Sequence, residues 1–324
     1  MKQYQIRIYQ PQDFDVWNTF ISVAKNATFL FHRNFMNYHN DRFEDFSLLV
    51  FEDDKLIAVL PANRAGDTVF SHQGLSYGGL VLSEDIRVKD YVAVFKVIMQ
   101  FFESKEISNF EIKVLPKIYN QTIADEIDYV SFLMKATTNR TDVYLVIDGQ
   151  REYQPNRNRK RALKKASELG IEIKEENNYK DFWNQILIPN LNVRFGVSPV
   201  HSCDEIIKLR DLFPNEIKLF NAYQDNELKA GVVVFLMDNV THFQYSSGGN
   251  DRNDTAALDI LFDFIIKKYI HKKYISFGSS SEANGLILNE GLAYWKESFG
   301  AKTSVQSFFL FKTSHHYLLD TVLL

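Results

Sequence analysis

Cysteine is almost absent from the sequence, which contains only Cys203 among its 324 residues. A lone thiol cannot form a disulfide within the chain, and we expect a reducing, cytoplasmic setting. The sequence also lacks any run of about 18 apolar residues, the length that a membrane-spanning helix requires. Its N-terminal segment, MKQYQIRIYQ, is polar and alternating, so we expect no signal peptide.

Neither sign of charge is in large excess, because 37 Lys and Arg oppose 41 Asp and Glu for a net charge of −4. This balance does not indicate a general nucleic-acid binder, although it leaves room for a local basic patch. Hydrophobic residues make up 45% of the chain and aromatic residues 14%, which excludes a disordered protein. At roughly 150 residues per domain, the length predicts two domains.

Several catalytic motifs are missing as well. The sequence has no His/Cys cluster with the spacing of a metal site, so we expect no metal. It has no P-loop, no GxGxxG fingerprint and no GxSxG nucleophile elbow. The only thiol, in VHSCDE, lacks the context of a nucleophile, and we expect it to be inert.

The two halves of the chain repeat one pattern. The segment SLLVFEDDKLIAVLPA predicts a β-hairpin with an acidic turn, and IKLFNAYQDNELKAGVVVF predicts a second. Each hairpin is followed by a third strand with a similar ending, VFSHQGLSYGGL in one half and VTHFQYSSGGN in the other. We interpret His72 and His242 as equivalent, because each precedes a Gly-Gly pair at a similar distance from its hairpin.

A helix and a further strand complete each repeat. Apolar residues at helical spacing predict a helix over 89–105 before the strand NFEIKVLP, and another over 255–269 before KYISFGSS. Both halves therefore run strand, strand, strand, helix, strand, which indicates an internal duplication; a chance match between two common meanders is the alternative. A linker helix begins near Asn156 and stops at Gly170, and we place the two domains at 1–150 and 151–324.

This order of elements resembles the GNAT acyltransferase core, and two such cores joined by a basic helix resemble the Fem family of FemABX-like peptidyltransferases. The segments that carry the resemblance are NATFLFHRNFMNYH, SHQGLSYGGL, NRKRALKKASELGIEI, HFQYSSGG, FGSSSEANGLILNEGL and KESFGA. The resemblance implies an α/β (α+β) fold of two tandem GNAT-like domains with mixed sheets flanked by helices. Two departures are the lack of a coiled-coil heptad run and the turn SSGGND, which differs from the Gln/Arg-x-x-Gly-x-Gly/Ala loop of acetyl-CoA users.

The resemblance also implies an activity, that of an N-acyltransferase moving an acyl or aminoacyl group onto an amine of a cell-wall precursor or amino sugar in cell envelope biosynthesis. The implied donor is acyl-CoA, an acyl carrier or aminoacyl-tRNA, and the implied acceptor is a small-molecule, lipid-linked or nucleotide-linked amine. The first domain would bind the acceptor, and the second would hold the donor and the reaction centre. The alternative is a catalytically silent binding module built from degenerate acyltransferase domains.

The third strand of the second half offers candidate catalytic residues. Direct acyl transfer needs a neutral amine, a polarised carbonyl and a geometry that holds the two together. Alternation along THFQYSS predicts that His242 and Gln244 face the cleft, and that Tyr245 shares the opposite face with Phe243. We expect His242 to act as a general base with Gln244 beside it, and we include His72 and Tyr245 as substrate contacts. A hydrogen-bonded structural histidine is the alternative at both histidines.

Glycine turns and one strand end add binding candidates. The turn SYGGL, which contains Tyr77, and the turn SSGGN, which ends at Asn250, can present backbone N–H groups to an anion or oxyanion. The segment GSSSEANG follows the last strand of the second half, where we expect substrate contacts from Asn284, Asn289 and Lys296. Plain turns and a solvated loop are the alternatives.

Basic residues cluster in two places. The segment FLFHRNFMNYHNDRF contains His32, Arg33 and Arg42, and by resemblance to Fem proteins it lines the acceptor pocket, where its cations would contact a phosphate or carboxylate. In the linker helix, Arg161 and Lys164 belong to the run RNRKRALKK. We interpret this run as a phosphate-binding site for a nucleotide-sugar, a coenzyme or a tRNA acceptor end. Scattered surface charge is the alternative for both clusters.

Overall fold

The computed structural model describes residues 2–249 and 252–322, and these residues divide into two units. The first unit comprises the residues up to Asp142, Asn284–Leu286 and the segment from Val305 onward, and the second comprises Val143–Ala283 and Ile287–Ser304. The predicted domains, 1–150 and 151–324, differ from this division. The boundary falls earlier, and the C-terminal segment returns to the first unit through a long-range strand pairing that hydrophobic periodicity does not reveal.

The first unit combines short strands with helices. Its strands are β1 (Tyr4–Ile8), β2 (Glu44–Asp45), β3 (Leu48–Glu52), β4 (Lys55–Leu60), β5 (Asn63–Ala65), β6 (Thr68–Phe70), β7 (Val81–Leu82) and β8 (Asn109–Lys113). Its helices are α1 (Phe14–Val23), α2 (Arg33–Met36), α3 (Val88–Ser104) and α4 (Glu126–Leu133). Strand β9 (Thr137–Asp148) then runs from the first unit into the second.

The strands of the first unit form two sheets. In one sheet β1, β3, β4 and β7 are antiparallel neighbours, and β3 with β4 is the predicted hairpin. In the other sheet β8 pairs in parallel with β6, and β5 and β2 follow as antiparallel neighbours. The last strand of the chain, β17 (Lys302–Lys312), pairs antiparallel with β8 from Phe308 to Lys312.

Helix α3 supplies much of the first core, as its sequence predicts. Phe95, Ile98, Met99 and Phe102 recur at intervals of three and four residues, and none of them is more than 1% exposed. These side chains pack in one cluster with the buried residues of the surrounding strands, among them Phe110. The predicted helix over 89–105 is confirmed, one residue earlier at each end.

The second unit has a longer sheet and more helices. Its strands are β10 (Glu172–Glu176), β11 (Ile217–Gln224), β12 (Glu227–Leu236), β13 (Val240–Gly248), β14 (Tyr274–Ser279), β15 (Ser281–Glu282) and β16 (Ile287–Leu288). Its helices are α5 (Arg157–Glu168), α6 (Tyr179–Asp181), α7 (Ile188–Phe195), α8 (Cys203–Leu212), α9 (Arg252–Thr255), α10 (Ala257–Tyr269) and α11 (Glu290–Glu297). Among residues 2–249 and 252–322, no helix combines the length and the apolar character needed to cross a membrane.

The sheet of the second unit has the strand order β10, β11, β12, β13, β14, β9. All neighbours are antiparallel except β13 and β14, which are parallel. Helix α10 packs on one face of this sheet through buried residues such as Leu261 and Ile265. A π-helical segment, Phe182–Leu187, joins α6 to α7 and packs closely on β12, where a Cβ on Gly231 would come within 2.2 Å of Phe182.

The repeated order of elements is present in both units, but the third strand differs between them. In the second unit this strand is continuous, and His242 lies within it opposite Ser276. In the first unit it is broken into β6 and β7, and Phe70, the last residue of β6, lies opposite Glu111. His72 lies in the loop after β6 with a φ of +76°, so its predicted equivalence with His242 is wrong. His72 therefore lies beyond the residues of β6 that pair with β8.

Candidate functional site

The two parallel strands of the second unit separate directly after His242. Strands β13 and β14 pair over three residues, ending with His242 opposite Ser276. Beyond this point β14 turns at Gly278, which has a φ of +69°, and the pairing of β12 with β13 contains a bulge at Gln244. We call this region the fork. Where two strands separate, a backbone N–H can be directed at a carbonyl oxygen instead of a neighbouring strand; at Gly278 the N–H donates to Oγ of Ser276 at 3.3 Å.

The bulge in β13 places Tyr245 on the same face as His242. His242 lies opposite Phe235 of β12 and Tyr245 lies opposite Val233, and these two partners share one face of their strand. The predicted alternation, which put His242 and Tyr245 on opposite faces, is therefore wrong. The bulged residue Gln244 adds one residue to β13 and shifts the two-residue period of its side chains.

A buried lysine completes the fork. Lys296 of α11 is only 4% exposed, and its Nζ donates to the carbonyl oxygen of Gly278 at 3.2 Å and to that of Ser279 at 2.6 Å. Burial lowers the pKa of Lys296 to about 7, because a poorly hydrated site disfavours the ammonium form. A large share of the Lys296 side chains is therefore neutral near pH 7, the state that can accept a proton.

His242 is a weaker base than its sequence context predicts. It is partly buried, and its Nδ1 lies 3.2 Å from Oγ of Ser276. Burial, and to a smaller extent the charge of Lys296, lower the pKa of His242 to about 4. The imidazole is thus neutral at pH 7, but Lys296 matches a proton acceptor at that pH better than His242 does. The spacing of residues in the sequence does not predict this difference in pKa between His242 and Lys296, because burial is its main cause.

Tyr245 is held by a histidine that sequence reasoning missed. The phenol oxygen of Tyr245 lies 2.5 Å from Nδ1 of His201 and accepts the backbone N–H of His201 at 3.2 Å. Its ring packs edge-on against Trp183, with centroids 5.2 Å apart, and burial raises the pKa of Tyr245 to about 12. Gln244, predicted as catalytic, is half-buried and hydrogen-bonds Tyr245. The Tyr245–His201 contact joins residues 44 apart, so no local pattern predicts it.

The first unit contains a polar pocket of about 420 Å³. Two cations, Lys113 and Arg140, contribute to its wall. Its other lining residues are Phe70, Ser71, His72, Gln73, Glu111, Asn139, Asn284 and Phe308. Lys113 Nζ donates to the carbonyl oxygen of Leu75 at 2.6 Å, and burial, more than the nearby Arg140, lowers the pKa of Lys113 to about 8. The Arg140 guanidinium donates two hydrogen bonds to Asp142 and lies over the ring of Phe308.

Two predicted binding residues meet in this pocket, although the sequence places them more than 200 positions apart. His72 stacks on His39 with ring centroids 5.0 Å apart, and burial lowers the pKa of His72 to about 3, so the ring is neutral at pH 7. The side-chain oxygen of Asn284 accepts a hydrogen bond from Arg140 at 3.3 Å. Asn284 is therefore a residue of the first unit, and not of the second as its sequence position predicts.

Two other predicted contacts of the first unit are buried in its core. Arg33 is 1% exposed, and its guanidinium lies 2.5 Å from the Asp45 carboxylate and over the rings of Tyr9 and Trp17, at 3.4 and 4.2 Å from their centroids. Tyr77 is 2% exposed and donates its hydroxyl proton to a buried threonine. Contact with a ligand from solution does not fit either position, since both side chains are almost completely buried.

The remaining predicted residues lie at helix ends and on the surface. Nδ1 of His32 accepts a backbone N–H at the start of α2, and the side chain of Asn289 accepts one at the start of α11. The exposed candidates are Arg42, Arg161 and Lys164. Asn250, in the predicted turn SSGGN, lies outside the described residues. Within the part of the chain that the structure describes, no group of three or more His, Cys, Asp or Glu could hold a metal ion.

The chain is similar to several solved structures at about 10% sequence identity. FemX matches with a TM-score of 0.67 and 10% identity over 97% of this chain and 99% of FemX. L-PGS from Bacillus licheniformis gives 0.54 and 11% over 97% and 96% of the two chains. A tandem GNAT protein from the clavulanic acid biosynthesis pathway gives 0.53 and 8% over 96% and 99%. No family model matches the sequence, and no curated protein matches it.

The two units share one order of elements, and each combines strands and helices in a mixed α/β arrangement. Each unit has a hairpin, a third strand, a helix and a further strand, and the second unit separates its parallel strands at a buried polar centre. More narrowly, the chain has the Fem-like tandem GNAT fold. At this level of identity the likeness concerns the fold, and it leaves the substrates to be inferred from the site.

Proposed function

We propose that the chain is an N-acyltransferase that moves an acyl or aminoacyl group onto an amine, with the fork of the second unit as its reaction centre. The observation that carries this proposal is Lys296. Its amine is buried beside the fork with two backbone carbonyls as partners, and a pKa of about 7 suits a group that accepts and returns a proton. Its partners Gly278 and Ser279 lie on the strand that separates from the one carrying His242.

In the proposed step the nitrogen of the acceptor amine attacks the carbonyl carbon of the donor. The C–N bond forms while the C–S or C–O bond to the donor breaks, and Nζ of Lys296 takes the amine proton. Lys296 then returns this proton to the departing thiolate or alkoxide, so no covalent enzyme intermediate forms. Backbone N–H groups beside the bulge at Gln244 stabilise the oxyanion, and neutral His242 and Tyr245 orient the reactants from one face of β13.

The donor in this proposal is acyl-CoA, an acyl carrier or an aminoacyl-tRNA, since each presents an activated carbonyl. The fold likeness to a tandem GNAT protein supports a coenzyme A thioester as the donor. Because the chain is also similar to FemX, the experiment below includes aminoacyl-tRNA as a second donor. For the acceptor we propose a hydroxyl-rich amine, such as an amino sugar or a cell-wall precursor, used in cell envelope biosynthesis. The amides and charged groups that line the pocket of the first unit suit a molecule of this kind.

The test uses the full chain with acetyl-CoA or mixed aminoacyl-tRNAs and a panel of amino sugars and cell-wall precursor amines. Mass spectrometry should detect a new amide with the wild-type chain and at least about 100-fold less of it with Lys296→Met in the same time. Lys208→Met is the matched control, because Lys208 is an exposed lysine on α8 and should not affect the product. Donor binding with no amide from any combination would contradict the proposal and favour a catalytically silent binding module.

A further inference from the structure

An exposed apolar segment lies at the start of α11. Ile287 and Leu288 of β16 are 54% and 48% exposed, and Leu292 and Tyr294 of α11 are 39% and 56% exposed. Single exposed apolar residues are common, but four within eight positions form a patch that water solvates poorly. Such a patch indicates a surface that meets an apolar partner.

The basic helix α5 begins beside this apolar segment. Asn158 donates from its side-chain amide to the hydroxyl of Tyr294 at 3.2 Å. One residue further along, Nε of Arg159 donates to Oγ of Ser298 at 3.0 Å. These contacts hold the first turn of α5 against α11 and place Tyr294 beside Asn158. We call the exposed residues of α5, of β16 and of the first turns of α11 the α5–α11 face.

The charge of this face is opposite to that of the chain as a whole. The net charge of the chain is −4, yet α5 exposes five cations and a single acid, Glu168. The exposed cations are Arg157, Lys160, Arg161, Lys164 and Lys165. Arg161 and Lys165 follow Asn158 by three and seven residues and so lie on its side of the helix. The acids Glu290 and Glu297 of α11 are also exposed, but the cations outnumber them.

We propose that the α5–α11 face binds the surface of an anionic phospholipid membrane. Lipid phosphates attract the exposed cations of α5, while the aliphatic side chains and the amphipathic ring of Tyr294 enter the headgroup boundary. Charge complementarity alone would suit RNA equally well. The aliphatic side chains of Ile287 and Leu288 favour a membrane over RNA as the partner. Their burial in the apolar part of a bilayer is favourable, whereas the phosphate backbone of RNA has no apolar phase to receive them.

The test is sedimentation of the full chain with phosphatidylcholine vesicles, with and without phosphatidylglycerol, over a range of salt concentrations. We expect binding only to vesicles with the anionic lipid, and weaker binding as salt rises. The double variants Arg161→Gln/Lys165→Gln and Leu288→Ser/Leu292→Ser should each lower vesicle affinity by about tenfold or more. Lys208→Gln/Lys302→Gln removes the same charge from exposed lysines elsewhere and should have little effect.

Three results would overturn this proposal: no vesicle binding, equal binding to neutral vesicles, or unchanged binding by the leucine variant. A further arm measures binding of total tRNA by gel shift. Binding of tRNA that the cation variant loses and the leucine variant keeps, with no vesicle binding, would assign the face to nucleic acid instead. Since all substituted residues are at least partly exposed, unchanged circular dichroism should confirm that each variant folds. None of these outcomes depends on acyl transfer, so this experiment tests membrane binding independently of the proposed function.

Discussion

Tyr245 lies on the same face of β13 as His242, although three positions separate them along the strand. In a regular strand an odd separation puts two side chains on opposite faces, and only the bulge at Gln244 removes this difference. The Tyr245 phenol, which hydrogen-bonds His201, therefore lies on the same face as the His242 imidazole. His242 is the last residue of β13 that pairs with β14. A β-bulge commonly redirects a side chain of its strand, and at the bulge of β13 the redirected side chain is Tyr245.

The rate of acyl transfer should fall with acidity below about pH 7 if Lys296 accepts the amine proton. Its pKa is about 7, so protonation removes the neutral form in this range. Lys296→Met should lower turnover by about 10²–10⁴-fold at pH 8, the usual range for such a group. The check is a profile of kcat against pH for the wild-type chain and the variant.

His242→Ala provides the control for this profile. Because the pKa of His242 is about 4, its removal should reduce the rate and yet leave the decline near pH 7 in place. If the decline disappears in His242→Ala and persists in a residual activity of Lys296→Met, the assignment of the two residues is reversed.

The stability of the fold should rise with pH between about 7 and the ordinary lysine value of 10.5. In this window the unfolded chain holds the Lys296 proton that the folded chain has released, so raising the pH favours the folded state. Below pH 7 both states carry the proton, and the cost of the buried charge is present in full. Chemical unfolding at several pH values should show a smaller increase for Lys296→Met than for the wild-type chain, and equal slopes would contradict the burial argument.

The pKa of His242 should rise from about 4 when Lys296 is replaced by methionine. The charge of Lys296 opposes protonation of the imidazole, but burial is the larger cause, so the pKa should remain below the ordinary value of 6.5. An NMR titration of the His242 ring protons measures this shift, with Lys208→Met as the control for loss of a distant charge. An unchanged pKa would show that the two side chains do not interact.

Residue spacing predicted those parts of the fold that depend on local order. The hairpins and the helices α3, α5 and α10 follow from apolar periodicity and turn residues, and the structure has all of them. The same reasoning could not predict the bulge at Gln244 or the break between β6 and β7, since both depend on which distant strand each segment pairs with. It also could not distinguish Arg33 from Arg42, two cations in one short segment, because only the fold shows which of them is buried.

Arg33→Lys should destabilise the first unit without creating a defect specific to ligand binding. A lysine keeps the charge but loses the planar group that lies over Tyr9 and Trp17 and pairs with Asp45. We expect a loss of about 2 kcal/mol in the free energy of unfolding, in line with a desolvated cation–π contact. Arg42→Lys, on the surface, should cost less than about 0.5 kcal/mol. Similar unfolding midpoints for the two variants would refute the structural role of Arg33.

Cys203→Ser should retain most of the acyl-transfer activity, because direct transfer needs no thiol. Cys203 is the first residue of α8, where Ser202 caps the helix by accepting the backbone N–H of Glu205. Burial is the main cause that raises the pKa of Cys203 above its ordinary value, so little thiolate is present near pH 7. The measurement is turnover of the variant together with the intact mass of the wild-type chain after mixing with donor alone. A mass increase that maps to Cys203, accompanied by a burst of the released carrier and lost in Cys203→Ser, would replace direct transfer with an acyl-enzyme mechanism.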